Sequence, residues 1–188
     1  MSEAPELQLL PGSFTQTAYV CHDIRQKALQ WSEAVGAGPF FVLGETQFSE
    51  SFYRDEPSQE RFVAAMGFIG ATQIELIQPC GHGSSIFGDV LQTRGEVLHH
   101  ILPRIRPLSA NDFDEERRRF GRAGVAEAFT GVSPIGRVVL FDTQAALGCF
   151  TELLEVSAGM YAAVAAMYLA HRSWDGTRVV RELSELSV

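Results

Sequence analysis

The stretch Phe14-Thr-Gln-Thr-Ala-Tyr-Val20, followed by Asp23 and by Ile24, Ala28, Trp31 and Val35, decides how the rest of the chain reads. The first seven residues suit a short strand. Asp23 is placed to cap a helix, the four apolar residues fall on one stripe of it, and Gly36, Gly38 and Pro39 end it. Residues 40–43 resume extended structure. The polar stretch 49–60 reads as a loop, and 61–69 and 71–78 read as two strands turning at Gly70. The same order then returns. Residues 97–102 are strand-like, and Asn111 is read as the cap of a helix carrying Phe113, Phe120 and Ala123. Three more strands are expected over 125–130, 137–141 and 149–156. A β-α-β-β-β order therefore occurs twice. The expected fold class is α+β, with two paired βαβββ modules over residues 13–80 and 96–157 enclosing a cleft. A C-terminal extension over 158–188 adds a helix at 160–172.

Composition narrows the function. The 188 residues include 15 Lys and Arg against 23 Asp and Glu, a formal net charge of −8. An acidic chain with no basic block does not neutralise phosphates, so nucleic acid is not an expected partner. With 46% hydrophobic and 20% charged residues, the chain has the means to bury a core. Its most apolar stretch near an end, 161–170, is too short for a bilayer, so no membrane is expected either. Residues 1–10 carry Glu3 and Glu6 without Lys or Arg, unlike a secretory leader, and read as a plain tail. Cys21, Cys80 and Cys149 are widely spaced and odd in number. Neither a disulfide framework nor a thiolate zinc site follows from them, and the expected compartment is a reducing cytoplasm.

Four polar residues stand among strongly apolar strand neighbours: Gln16, Glu75, His100 and Glu152. Two belong to the first and last strands of one unit and two to the first and last strands of the other. Each could face solvent from a half-buried strand. Together, an amide, an imidazole and two carboxylates also make a coordination set for a divalent ion, whose charge the carboxylates would balance. His99 and Glu155 have the opposite parity to His100 and Glu152, and a one-residue slip would exchange them. Other polar residues carry less. His22 reads as surface, His82 lies in a Gly-His-Gly loop within reach of a substrate, and His171 sits near a helix C-terminus. Tyr53, Arg54 and Arg61 flank the polar loop and could hold an anionic group.

The segment Gln16-Thr-Ala-Tyr-Val-Cys-His-Asp23-Ile24, with Gly36-Ala-Gly-Pro-Phe40 after it, resembles the opening of glyoxalase-type proteins of the vicinal oxygen chelate superfamily. Thr72-Gln-Ile-Glu-Leu-Ile-Gln-Pro79, Leu98-His-His-Ile101 and Thr151-Glu-Leu-Leu-Glu-Val156 resemble its later motifs in order. The resemblance places the family's four metal ligands on Gln16, Glu75, His100 and Glu152, a set similar to that of the zinc form of glyoxalase I. Methylmalonyl-CoA epimerases are similar around Ala18-Tyr19 and Leu98-His-His100 but carry His at the first ligand position and Gln at the second. Extradiol dioxygenases use two His and one Glu, which Gln16 disfavours here.

The resemblance implies one divalent metal (zinc, nickel, cobalt or manganese), a small-molecule substrate and a homodimer. It also implies an isomerase or lyase of the glyoxalase or epimerase type, moving a proton next to a metal-bound carbonyl. Glu152 would be the chief catalytic base and Glu75 the second proton carrier. The positions where glyoxalase I grips glutathione carry Val20 and Pro79, which disfavours that substrate. The alternative is a non-catalytic protein of the same fold that sequesters a small molecule.

Overall fold

The computed structural model describes residues 12, 14–81 and 84–186; the tail over 1–10 and His82 lie outside the described residues. Strand β1 (Phe14–Val20) runs into helix α1 (Ile24–Val35). The Asp23 carboxylate accepts hydrogen bonds from the Arg25 and Gln26 amides, and Gly36, at φ 69°, ends the helix in a left-handed turn. Strands β2 (Phe40–Val42), β3 (Thr46–Gln47), β4 (Glu50–Tyr53) and β5 (Glu56–Pro57) follow, then the long antiparallel pair β6 (Arg61–Ile69) and β7 (Thr72–Pro79). Helix α2 (Ile86–Arg94) leads to β8 (Leu98–Ile105), α3 (Ala110–Arg122), β9 (Glu127–Ser133) and β10 (Gly136–Phe141). The short α4 (Gln144–Leu147), β11 (Phe150–Leu154), α5 (Ala158–Arg172) and β12 (Val180–Glu182) complete the order.

The strands form one twelve-stranded sheet in the order β12-β2-β6-β7-β1-β8-β11-β10-β9-β4-β5, with β3 paired to β6. At its centre β1 pairs parallel with β7 and antiparallel with β8. The α+β class is as expected, and so is the twofold repetition about this central pair. Helices α1 and α3 pack on the outer face. Ile24 and Ala28 meet Leu76 there, and Phe113 meets Val139, Phe141 and Leu153. The inner face holds the largest apolar cluster, to which α5 adds Val164, Met167 and Tyr168. Tyr168 packs on Phe14 with ring centroids 4.9 Å apart.

Three local expectations need correction. Residues 49–60 are not a loop: β4 alternates exposed Glu50 and Phe52 with buried Ser51 and Tyr53, and pairs with β9 of the other half. The cap of α3 is Ser109 rather than Asn111. The Ser109 hydroxyl accepts from the Asp112 amide while the Asp112 carboxylate accepts from the Ser109 amide, satisfying two orphan donors at once. Helix α2 was not foreseen; Ser85 caps it through the Gly88 amide, and Ile86, Phe87 and Val90 are buried.

The β3–β4 segment is a crossing. Thr46 and Gln47 bond to β6 of the first half, whereas Glu50 to Tyr53 bond to β9 of the second. Between them Phe48 packs against Phe62 on one side and Phe129 on the other, at 6.2 and 5.2 Å. Among the described residues no helix is long and apolar enough to cross a membrane.

Candidate metal centre

Sheet register explains why four residues distant in sequence approach one another. Ala18 on β1 stands opposite Glu75 on β7 and His100 on β8. Cross-strand partners share a face, so Glu75, Ala18 and His100 form a row in which the small central side chain leaves space between two polar ones. His100 in turn stands opposite Phe150 on β11. Gln16 lies two residues from Ala18 and Glu152 two residues from Phe150, so both share that face.

Gln16, Glu75 and His100 are buried at 3%, 7% and 1% exposure, so they do not face solvent. His100 Nε2 lies 3.5 Å from Glu75 Oε2 and 3.5 Å from Glu152 Oε2. Gln16 Nε2 donates to Gln73 Oε1 at 2.8 Å, which holds the amide and leaves its own oxygen free. Glu155, the parity rival of Glu152, is bound instead to Arg137 at 2.7 Å.

Among the described residues, the buried side-chain polar atoms without a hydrogen-bond partner are Gln16 Oε1, His100 Nε2 and Glu152 Oε2. An orphaned buried polar atom costs about 1–3 kcal/mol, and these three belong to side chains that line one cavity. Among the described residues no group of three or more His, Cys, Asp and Glu side chains is placed to hold a metal ion as it stands. The donor set nevertheless fits a divalent ion. Two donors about 2.1 Å from a tetrahedral ion stand roughly 3.4 Å apart, close to the spacing about His100 Nε2.

The ionisable groups of the site perturb one another. Burial pushes the Glu75 carboxyl above its ordinary value, opposed by the His100 ring 3.5 Å away. Burial by itself would lower His100, but Glu152 and Glu75 outweigh it and hold the imidazole at about 9. A proton on His100 and a metal ion therefore compete for the same carboxylates.

These atoms line a cavity of about 50 Å³ walled by Phe48, Phe62, Phe87 and Phe129. It adjoins a groove of about 660 Å³ along α5, the two sharing Met66, Ser133, Ile135 and Met160. Neither is lined by lysine or arginine among the described residues. Tyr53, Arg54 and Arg61 do not reach the cavity: Arg61 pairs with Glu45 at 2.7 Å, and Arg54 lies over the Tyr53 ring. His22 is exposed, and His171 bonds the Gly38 carbonyl.

Two residues outside the four-residue set stand behind the centre. His99 is 1% exposed, with its ring against Phe87 and Phe150. Burial, and then the charge of His100, keep its pKa well below the ordinary histidine value. Glu60 is equally buried and accepts from Ser85 Oγ at 2.6 Å and from the Ile86 amide at 2.9 Å. Burial lifts its carboxyl to about 7 despite those two bonds. Its position inside a polar stretch gave no signal of burial.

Several solved structures share this architecture. A methylmalonyl-CoA epimerase from Mycobacterium tuberculosis superposes with a TM-score of 0.53 at 18% identity, covering 84% of this chain and 97% of that one. A methylmalonyl-CoA epimerase in complex with methylmalonyl-CoA and ammonium gives 0.52 at 19% identity, covering 80% and 98%. A variant Streptomyces coelicolor methylmalonyl-CoA epimerase in complex with 2-nitronate-propionyl-CoA gives 0.50 at 20% identity, covering 76% and 92%. No family model and no curated protein matches the sequence. The chain shares the fold of these epimerases.

Proposed function

We propose that the protein is a metal-dependent isomerase of the epimerase type, which moves a proton at the carbon next to a carbonyl group. The observation that carries this reading is the set of three orphaned buried atoms, Gln16 Oε1, His100 Nε2 and Glu152 Oε2, beside the Glu75 carboxylate. Together these four side chains would hold zinc, nickel, cobalt or manganese. When bound, such an ion stabilises the negative charge that develops on the carbonyl oxygen as the neighbouring proton leaves.

The chain's own residues perform the proton movement. Glu152 and Glu75 approach His100 from β11 and β7, on either side of the central strands, which suits one carboxylate to take the proton and the other to return one. Glu152, which lines a second surface groove beside Thr151 and Leu154 as well as the cavity, acts as the chief base. Gln16, held by Gln73, and His100 stay fixed. The aromatic walls exclude water, so the carboxylates act in a medium of low dielectric.

The reacting end of the substrate occupies the small cavity and an apolar remainder lies in the groove along α5. Val20 is fully buried and Pro79 offers no donor, so glutathione finds no grip at either position. A cleft that only sequestered a molecule would gain nothing from two buried carboxylates, each costly to desolvate.

The test combines elemental analysis of purified protein with solvent-deuterium exchange across acyl-CoA esters, 2-oxo acids and thiohemiacetals. Wild-type protein is expected to hold about one divalent ion per chain and to exchange the α-proton of one class. Glu152→Gln should retain much of the metal and lose exchange by roughly 100-fold or more, since an amide can ligate but cannot accept the proton. Exchange by this variant at the wild-type rate would refute Glu152 as base.

A further inference from the structure

Behind His100 runs a chain of hydrogen bonds that ends outside the four-residue set. His99 Nε2 lies 3.3 Å from the Ile86 carbonyl oxygen. A carbonyl only accepts, so that nitrogen carries the hydrogen. In a neutral ring Nδ1 is then the acceptor. A second positive ring against His100 in this dry setting would be costly, so the neutral form is the one that fits. His99 Nδ1 faces His100 Nδ1 at 2.9 Å, and the latter must therefore donate. With its hydrogen committed to Nδ1, neutral His100 presents a lone pair at Nε2, the atom 3.5 Å from both Glu75 and Glu152. The acceptor that orients His99 is itself fixed, because the Ile86 amide donates to Glu60 Oε2 at 2.9 Å.

We infer that His99 is a positioning residue for the metal centre, setting the tautomer and ring plane of His100 through the chain Glu60, Ile86 main chain, His99, His100. The inference rests on the metal-centre reading above and adds to it a residue outside the ligand set. The opposite tautomer would aim an N–H at the ion. Outer groups that orient a ligating histidine typically contribute 10-fold to 100-fold in metal affinity.

His99 also permits a clean substitution. Its ring lies between Phe87 and Phe150, at 4.7 and 5.1 Å, so His99→Phe conserves shape and packing while removing both hydrogen bonds. His99→Asn keeps an acceptor near the Nδ1 position facing His100. His99→Gln carries its amide past the Nδ1 position toward Ile86, where its N–H can replace the Nε2 donor.

Zinc alone is the probe, titrated into the full chain against a chromophoric chelator. The ¹⁵N spectrum of His100 in the zinc-loaded protein is the second readout. His99→Phe and His99→Gln are expected to weaken zinc binding about 10-fold to 100-fold and to blur the Nδ1-protonated, Nε2-ligated signature of His100. His99→Asn should restore most of both. Should the Phe variant not fold, the Asn and Gln pair still decides, since a merely structural role would not separate them. Wild-type affinity and an unchanged signature in His99→Phe, or equal losses in Asn and Gln, would overturn the positioning role while leaving the metal centre intact. Failure of wild-type protein to bind zinc would overturn the metal centre and this inference with it.

Discussion

Acidification is expected to release zinc from the site along a slope set by His100. The imidazole is held at about 9 against an ordinary value of 6.5, because the charges and hydrogen bonds of Glu152 and Glu75 outweigh its burial. At neutral pH only about 1% of the rings are then deprotonated, so coordination at Nε2 must first expel a proton. That competition lowers the apparent affinity at pH 7 by on the order of 100-fold relative to pH well above 9. Between about pH 8 and about pH 6 the dissociation constant should rise close to tenfold per unit. The raised Glu75 carboxyl acts with the same sign, because any protonated fraction must also lose its proton, and it steepens the acidic end. Chelator competition at three pH values measures the slope. Titration in weakly buffered solution with an indicator dye should register about one proton released per zinc near pH 7. A dissociation constant that does not change from pH 6 to 8 while zinc is bound, or binding without proton release, would refute the coupling of His100 to the two carboxylates.

Two further outcomes test the scaffold. Glu60 is raised from 4.5 to about 7, chiefly by burial, so its contribution to stability is full below about pH 4.5 and lost as pH rises through about 7. That decline amounts to about 3 kcal/mol; in Glu60→Gln it should vanish, read as a smaller difference between urea midpoints at about pH 5 and about pH 8. At Gly131 an added Cβ would stand 2.6 Å from the Phe48 ring and 3.0 Å from Phe129. Gly131→Ala should therefore cost about 1–3 kcal/mol and speed hydrogen exchange at the Ser49 amide, which bonds the Val132 carbonyl; unchanged protection there would refute the packing argument.

What was legible in the sequence was local. Asp23 caps α1 because an acidic N-cap, the apolar stripe and Gly36 all agree within one segment. The four polar residues could be picked out because each breaks an apolar strand, a signal that survives without knowing the strand's neighbours. Strand β4 was missed because its partner, β9, is remote in the chain and belongs to the other half. Helix α2 was missed because it is short and carries Gly88 inside it. Face alternation could separate His99 from His100 but could not assign His99 a task. Both are buried, and the use of His99 depends on a helix that the pattern did not reveal.

The crossing between β3 and β4 has a kinetic consequence. From β6 the hydrogen-bonded path runs through β7, β1, β8, β11, β10 and β9 to β4, and returns to β6 across Phe48 and Ser49 through β3. The strands around the cavity thus form a closed circuit, and nearly all of them contribute a side chain to its wall. An open sheet can splay at one edge, whereas a circuit widens only by a collective breathing in which several ladders yield together. Exchange with the outside therefore falls to the side where the cavity adjoins the groove along α5.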